Sequence, residues 1–357
     1  MVPRRTRRWL LGALASGAVA SELKRFRDPA TEFELLRLTD PAVSNSWIPR
    51  SHLRSVAGRG NSLFYLSDRS GSIQAWRMQI ATGESVRLTS AQNLHPEMAS
   101  ATFDDRSLIY FDDTELVLSN GKRLRTLYTV PQPWRPQPPF AVSPAGQHAA
   151  FAETDGERYR LRLLSLRGGA ASTLHESTVP LAGAAFRPRT GALLYRTPEA
   201  VTVTGLDGRN ATRLKLPAGA PGDAVWSADG AAVHYLLRTE AGRPVQLRDH
   251  LLESGEDRLI GLTTHFHSVA RNRDSSVFAG VSSSVAAPYL LLMIRAARRE
   301  LAIAEHKATA PSRAIVVFSP DSQRVFYHTD REGKSAIYTI ALERFVEKTQ
   351  EEEAEGR

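Results

Sequence analysis

The sequence of 357 residues contains no cysteine, which excludes disulfide bonds, thiolate metal sites and a cysteine nucleophile together. It also lacks the motifs of several enzyme classes: there is no G-x-S-x-G nucleophile elbow, no P-loop, no H-E-x-x-H zinc motif and no EF-hand loop. The apolar run at residues 9–20 is about a dozen residues long, too short to cross a bilayer core of roughly 30 Å. Any function must therefore come from residues that the fold assembles.

The charge distribution favours an anionic partner. The formal net charge is +8. Hydrophobic residues make up 42% of the sequence and charged residues 24%, which is typical of a globular protein. Residues 1–20 hold four arginines and no acid, whereas residues 343–357 hold six glutamates and only three cations, so the body between them is also basic. This excess suits an anionic ligand or an acidic surface, or reflects scattered arginines. Lysines and arginines do not cluster with aromatic residues, so we predict no nucleic-acid partner.

Residues 1–20 have the pattern of a signal peptide. Four arginines precede the apolar run, and Ala18-Val19-Ala20 forms an A-x-A cleavage site before Ser21. The segment T-R-R-W-L-L at 6–11 also approximates a twin-arginine signal. We therefore predict a periplasmic or secreted protein, exported by the Sec or the twin-arginine route, with no transmembrane segment. The alternative is an uncleaved N-terminal anchor.

A repeated unit dominates the rest of the chain. Residues 314–340 read as strand, turn, strand, turn, strand, with β-branched and aromatic residues between turns rich in Pro, Asp and Gly. The same order recurs, with turns that read SPAG at 143–146, SADG at 227–230 and SPDS at 319–322. Four short strands at a period of about 40 residues are typical of a propeller blade, which buries its faces only against neighbouring blades. We predict an all-β, seven-bladed β-propeller.

The predicted domain comprises residues 21–346. Its blades are predicted at about 52–89, 96–130, 140–175, 184–216, 224–262, 267–306 and 314–342. The seventh unit has only three strands, and the isolated strand at 33–39 can supply its outer strand and so close the ring. Residues 347–357 are predicted to be a disordered acidic tail.

The chain resembles the oligogalacturonate lyase family, within the wider class of propellers similar to the translocation protein TolB. The resemblance lies in the RLT segment at 37–39, LYTVPQPWRP at 127–136, HFHSVARNRDSSVFAG at 265–280 and VFSPDSQRVFYHTDREGKSAIY at 317–338. It implies β-elimination on short galacturonate oligomers, with a divalent metal such as manganese to offset the carboxylate charge and a base to remove the C5 proton.

The positions that the resemblance would assign to this chemistry are only partly suitable. His267 matches one metal ligand of the family. The other ligand positions fall on Ala310, Arg313 and Ile315, none of which is a usual metal ligand, and the position of the base falls on Asp223. The active site has therefore either decayed or been rebuilt.

A rebuilt site has a few candidate residues. His265 and His267, two apart on a strand, are expected to share a face, and His306 follows the outer strand of the same blade. The three could form a metal or acid–base cluster, or they could be ordinary hydrogen-bonded histidines. Asp223 could be a general base or ligand, or the cap of a turn beside Gly222.

Several cations and tryptophans could bind a sugar acid. The inner strands of a propeller line its central channel, so cations at their beginnings could clamp a carboxylate, or they could be solvated loop residues. The candidates for such a clamp are Arg50, His52, Arg54 and Arg313. Trp47 and Trp134 could stack on a sugar ring or pack in the core.

Three function hypotheses follow from the sequence. The first is a protein similar to oligogalacturonate lyase that acts on or binds acidic (uronate) oligosaccharides. The second is a non-catalytic, TolB-like periplasmic binding or scaffold propeller, whose partner could be another periplasmic protein. The third is an enzyme of a different reaction built on the same channel.

Overall fold

The computed structural model describes residues 20–50, 53–121, 123–240 and 243–342, which form strands and one short 3-10 helix at Pro311–Arg313. In these ranges no helix is long and apolar enough to cross a membrane. The predicted signal peptide (except Ala20), the acidic tail at 347–357 and His52 lie outside the described residues.

The described strands form seven antiparallel sheets, each of which is one blade. The strands of blade 1 are β3 (Ser46–Trp47), β4 (Ser62–Ser67), β5 (Gln74–Gln79) and β6 (Ser85–Arg87). Those of blade 2 are β7 (Leu94–Ala101), β8 (Leu108–Asp112), β9 (Glu115–Ser119) and β10 (Leu124–Thr129). Those of blade 3 are β11 (Arg135–Val142), β12 (His148–Thr154), β13 (Tyr159–Ser165) and β14 (Ser172–Ser177).

The next three blades repeat this order. The strands of blade 4 are β15 (Ala182–Phe186), β16 (Ala192–Thr197), β17 (Ala200–Gly205) and β18 (Thr212–Arg213). Those of blade 5 are β19 (Ala220–Trp226), β20 (Ala232–Arg238), β21 (Val245–Leu251) and β22 (Asp257–Thr263). Those of blade 6 are β23 (Phe266–Arg271), β24 (Val277–Ser282), β25 (Tyr289–Ile294) and β26 (Arg299–Glu305). The predicted all-β, seven-bladed fold is thus confirmed.

Blade 7 combines the two ends of the described chain. Its strands are β27 (Val316–Phe318), β28 (Arg324–Glu332), β29 (Lys334–Ala341), β2 (Glu34–Arg37) and β1 (Lys24–Arg27). The N-terminal strand β2 pairs with β29, with Leu36 opposite Thr339. Beyond it, β1 adds a fifth strand, so the isolated strand of the sequence analysis is one half of a hairpin.

The blades hold together through seven apolar clusters, each of which forms between two adjacent blades. Between blades 2 and 3, for example, Phe111 packs edge-on against both Phe140 and Phe151. All three rings are buried. Because a single blade cannot cover its own faces, this packing between neighbours is what makes the alternating sequence pattern fold as a ring.

A tight turn joins each inner strand to the next strand, and in blade 5 it reads Ser-Ala-Asp-Gly. In blade 5, the Ser227 hydroxyl and the Ala231 amide both donate to Asp229 Oδ1, at 2.6 and 2.9 Å. Gly230 takes the left-handed conformation (φ +76°) that closes the turn. These turns lie at the ends of the inner strands, so the channel has a turn end and, where the inner strands begin, an opposite end, called the mouth below.

Gly280 provides a test of the packing at the start of blade 6. A Cβ added to Gly280 on β24 would lie 2.2 Å from two ring atoms of the buried Phe266 on β23. Gly280→Ala is therefore expected to lower the free energy of unfolding by about 3 kcal/mol, as overpacking does. Urea denaturation monitored by circular dichroism measures the change.

Gly191→Ala is the matched control, because its added Cβ would meet only the Leu206 side chain, at ordinary distances of 3.7 and 3.9 Å. We expect this variant to lie within about 1 kcal/mol of the wild type. Equal midpoints for the two variants would contradict the packing described here.

Candidate functional site

The inner strands carry β-bulges at the mouth. In blade 5, Pro221 lies opposite Leu237 and Ala224 opposite Tyr235, so Gly222 and Asp223 together face a single residue. In blade 6 the register shifts between Phe266 and Ser268, at His267. Blades 2, 3 and 4 shift register in the corresponding part of β7, β11 and β15. A bulge re-aims a side chain out of the regular alternation, and these bulges occur where the channel opens.

Asp223 connects three blades. Its Oδ2 accepts a hydrogen bond from the Val269 amide of blade 6 at 3.1 Å, and its Oδ1 lies 3.6 Å from Arg196 Nη2 of blade 4. The carboxylate is thus held in place from one side and neutralised from the other. Its position in a strand bulge also shows that Asp223 does not cap a turn beside Gly222.

Two arginines that the sequence analysis missed lie near the ends of the second strands of neighbouring blades. Arg196 on β16 pairs with Ala182, and Arg238 on β20 pairs with Ala220. Each arginine follows three buried apolar residues of its strand, in the segments L-L-Y-R-T and Y-L-L-R-T. This repeated Arg-Thr pair was the one sequence feature that could have drawn attention to them. Nothing in the sequence indicated that either side chain reaches the channel.

Glycines in the bulges make room for these arginines. A Cβ on Gly183, which has φ +60°, would lie 2.7 Å from Arg196 Nε. A Cβ on Gly222 would lie 3.3 Å from Arg238 Nη1. In both blades the inner strand therefore lacks a side chain at the place where the guanidinium of the second strand lies against it.

Together with Arg50 and His267, these residues form one electrostatic unit, called the mouth cluster: Arg50, Arg196, Asp223, Arg238 and His267. Burial lowers the pKa of Arg196, against the opposing effect of the Asp223 carboxylate, and the charges of Arg50 and Arg238 lower it further. Arg50 Nη2 also lies 3.4 Å from Glu97 Oε1 on the adjacent blade 2. The cluster therefore holds three guanidinium groups and one carboxylate, that of Asp223, and the carboxylate of Glu97 lies at its edge.

His267 is half-buried in this cationic environment. Burial lowers the pKa of His267, the Asp223 carboxylate raises it, and the charges of Arg238 and Arg50 lower it again. A backbone hydrogen bond with Ser312 also acts on the ring. The net lowering favours the neutral imidazole at neutral pH, a form that can accept a proton.

The other two predicted metal ligands do not join His267. His265 precedes β23, has a left-handed backbone (φ +59°) and is exposed, so the expected strand alternation does not apply to it. His306 is fully buried, and its ring nitrogens contact the Ser282 carbonyl at 3.0 Å and the Ala308 amide at 3.0 Å. Both ring nitrogens of His306 therefore already form hydrogen bonds with the backbone.

The described residues do not fit a divalent metal. No group of three His, Cys, Asp or Glu side chains in these ranges could hold an ion. Of the positions at which the resemblance would place ligands, Ala310 precedes the 3-10 helix, Arg313 ends it, and Ile315 packs against an apolar cluster.

The remaining candidates lie in different places. Arg54 lines the turn end of the channel rather than the mouth and forms a salt bridge with Asp105 at 3.0 Å. The exposed Arg313 contributes its backbone carbonyl to the fold. Trp134 is covered by the Arg160 guanidinium, whose Cζ lies 3.9 Å from the ring centroid, and Trp47 packs against the apolar cluster between blades 1 and 2.

His328 connects the beginnings of blades 1 and 7 beneath the mouth. Its Nε2 donates to the Arg313 carbonyl at 2.8 Å, and its Nδ1 accepts from the Ile48 amide at 3.3 Å. Burial lowers the pKa of His328 to about 4, from 6.5, against the opposing effect of the Arg313 carbonyl.

This arrangement predicts a loss of stability in acid. Between pH 6.5 and 4, His328 is protonated in the unfolded chain but stays neutral in the folded protein. The free energy of unfolding therefore falls as the pH drops through this range. The contribution of His328 is at most about 3 kcal/mol. Urea unfolding at several pH values should show a flatter profile for His328→Gln than for the wild type. The exposed His265→Gln is the control, and identical profiles for the two variants would disprove this role of His328.

Comparisons with known proteins agree with this architecture. No protein-family model matches the chain, and no curated protein sequence matches it. The structure of an oligogalacturonate lyase in complex with manganese superposes with a TM-score of 0.85 at 16% identity, covering 91% of this chain and 97% of that one. An oligogalacturonate lyase from Vibrio parahaemolyticus gives a TM-score of 0.84 at 17% identity, covering 92% and 98%.

TolB from Acinetobacter baumannii is more distant, with a TM-score of 0.47 at 13% identity over 76% of each chain. At these identities, the likeness to the two lyases establishes the fold alone. The resemblance found in the sequence is thus confirmed as a structural one: the chain is a seven-bladed propeller similar to oligogalacturonate lyases.

Proposed function

We propose that this propeller binds acidic oligosaccharides of the uronate type at the mouth cluster. The observation that carries the proposal is the excess of guanidinium groups there. Arg196 is largely buried, its Nε has no hydrogen-bond partner among the described residues, and its nearest carboxylate oxygen, on Asp223, is 3.6 Å away. A sugar carboxylate would supply the missing acceptors, and the planar guanidinium group is suited to bind it with two parallel hydrogen bonds.

The positive charge for this recognition comes from arginine. The resemblance implies manganese, and one structural neighbour is a complex with manganese. The residues that this chain has at the corresponding positions nevertheless provide no set of metal ligands. Arg50 and Arg238, which are more exposed than Arg196, can neutralise a carboxylate without a metal.

Replacement of the arginines tests the proposal. Titration calorimetry with trigalacturonate is expected to show binding to the wild type. Arg196→Gln should weaken it roughly 10- to 100-fold, because charge-assisted hydrogen bonds contribute about 1.5–3 kcal/mol each. Arg238→Gln, at an exposed position, should act in the same direction. The matched control is Arg209→Gln, in an exposed turn of blade 4.

Two further controls examine charge and metal. Maltotriose, a neutral trisaccharide, should not bind. Dialysis against EDTA should leave the affinity for trigalacturonate unchanged, and added Mn²⁺ should not increase it. Equal affinity of the wild type and Arg196→Gln, or binding that requires Mn²⁺, would refute the proposal.

A second candidate function is cleavage of the bound sugar by β-elimination, favoured by the neutral imidazole of His267 next to Asp223. The imidazole would take the proton on the carbon next to the carboxylate. The bond to the leaving oxygen would then break, this oxygen would take a proton from solvent, and a carbon–carbon double bond would remain.

The ultraviolet absorbance of the unsaturated product reports this reaction. If it occurs, we expect it to resist EDTA, and we expect His267→Gln to slow it at least roughly 100-fold, the usual contribution of a general base. His265→Gln is the neighbouring control. Binding of trigalacturonate by the wild type without any rise in absorbance would leave binding as the whole function.

A further inference from the structure

The turn end of the channel holds a cavity, called the funnel below. Its volume is about 650 Å³, and it is lined by the ends of the inner strands and the turns that follow them. All seven blades contribute to it. The volume lies within the range of small-molecule sites, which is about 300–1,000 Å³.

The wall of the funnel is mainly apolar. Phe103, Trp226 and Phe318 line it, together with prolines of three turns, Pro144, Pro188 and Pro320. The Trp226 indole N–H donates to the Ala185 carbonyl at 2.9 Å, so this ring is fixed and its polar atom is satisfied. A wall of this kind favours a ligand with an apolar body.

A mostly buried cation lies in this wall without a close counter-ion. Arg271 donates from Nε to the Trp226 carbonyl at 2.6 Å and from Nη1 to the carbonyls of Asn272 and Arg273, at 2.9 and 3.4 Å. All these partners are neutral. Buried charges in proteins are normally paired, because their desolvation is costly. Within the described ranges, Arg271 forms no salt bridge.

The rim of the funnel is cationic as well. Arg189 and Arg273 line it, are exposed and form no salt bridge with any described acid. Asp229 lies near enough to act electrostatically on Arg271, but its Oδ1 is engaged by the turn of blade 5. The lining itself includes no aspartate or glutamate, and Arg54 is the one lining arginine with a salt-bridge partner among the described residues.

We propose that the funnel binds a small organic anion with an apolar body. The anionic group supplies the counter-ion that Arg271 lacks and meets Arg273 and Arg189 at the rim. The aromatic or aliphatic body packs against Trp226, Phe318 and the turn prolines. This site is separate from the mouth cluster, because the two lie at opposite ends of the inner strands.

A pair of fluorescent probes separates the charge from the apolar body. The probe 8-anilinonaphthalene-1-sulfonate carries one anionic group, and N-phenyl-1-naphthylamine is the same framework without it. We expect the anionic probe to bind the native chain once, with rising fluorescence, and the neutral probe to bind at least tenfold more weakly. Decanoate, an aliphatic carboxylate, should displace the anionic probe.

Variants place the site. Arg271→Gln and the exposed Arg273→Gln should each weaken binding of the anionic probe at least about fivefold, and Arg273→Gln keeps the test valid if Arg271→Gln does not fold. Ala228→Trp, which fills the funnel without changing its charge, should abolish binding. Arg209→Gln and the mouth variant Arg196→Gln should bind the probe like the wild type.

The opposite results overturn the proposal. Equal affinity for the two probes would show that no anion is recognised. Unchanged binding of the anionic probe in Arg273→Gln and Ala228→Trp would show that the probe lies elsewhere. Because trigalacturonate is titrated separately, loss of the proposed sugar binding and loss of the funnel site are distinguishable.

Discussion

The constraint on which this structure depends is that no blade can bury both of its faces alone. Each of the seven apolar clusters is shared by two adjacent blades, so the strands fold only as members of a ring. The ring in turn brings the beginnings of all the inner strands to one end of the channel and their following turns to the other. Residues more than a hundred positions apart, such as Arg50 and Asp223, thereby act on the same histidine.

Both ends of the channel carry more positive charge than nearby acids neutralise. At the mouth, Arg196 has one carboxylate at 3.6 Å, and at the turn end the hydrogen bonds of Arg271 within the described ranges all go to backbone carbonyls. A partly buried guanidinium is costly when its charge is not balanced, and such a cost is often retained where a ligand pairs with the group. The same physical feature thus supports two anion sites of different character, a polar one for sugar acids and an apolar one for amphipathic anions.

The candidate site could be predicted from sequence only in part. Asp223 and His267 were found because they occupy positions that the resemblance marks, and Arg50 because it was expected at the beginning of the first inner strand. Arg196 and Arg238 were missed because they belong to second strands, which ordinarily do not face the channel. They come close to it only because a bulge and a glycine occur opposite them in the inner strand. For His306 the sequence left open a metal ligand or an ordinary hydrogen-bonded histidine, and the structure agrees with the second, because both ring nitrogens bond to neighbouring loops that sequence spacing does not place.

By itself, the sequence determined the class of fold. The period of the turns and the alternation within the strands are local patterns, and local patterns suffice to define a blade and to count seven of them. Only the tertiary structure decided which charged side chains lie close together and which histidines have both ring nitrogens hydrogen-bonded to the backbone. It also decided where, among the described residues, an arginine has no carboxylate partner. These outcomes depend on bulges of single residues and on contacts between blades, whose energies arise only when distant segments pack together.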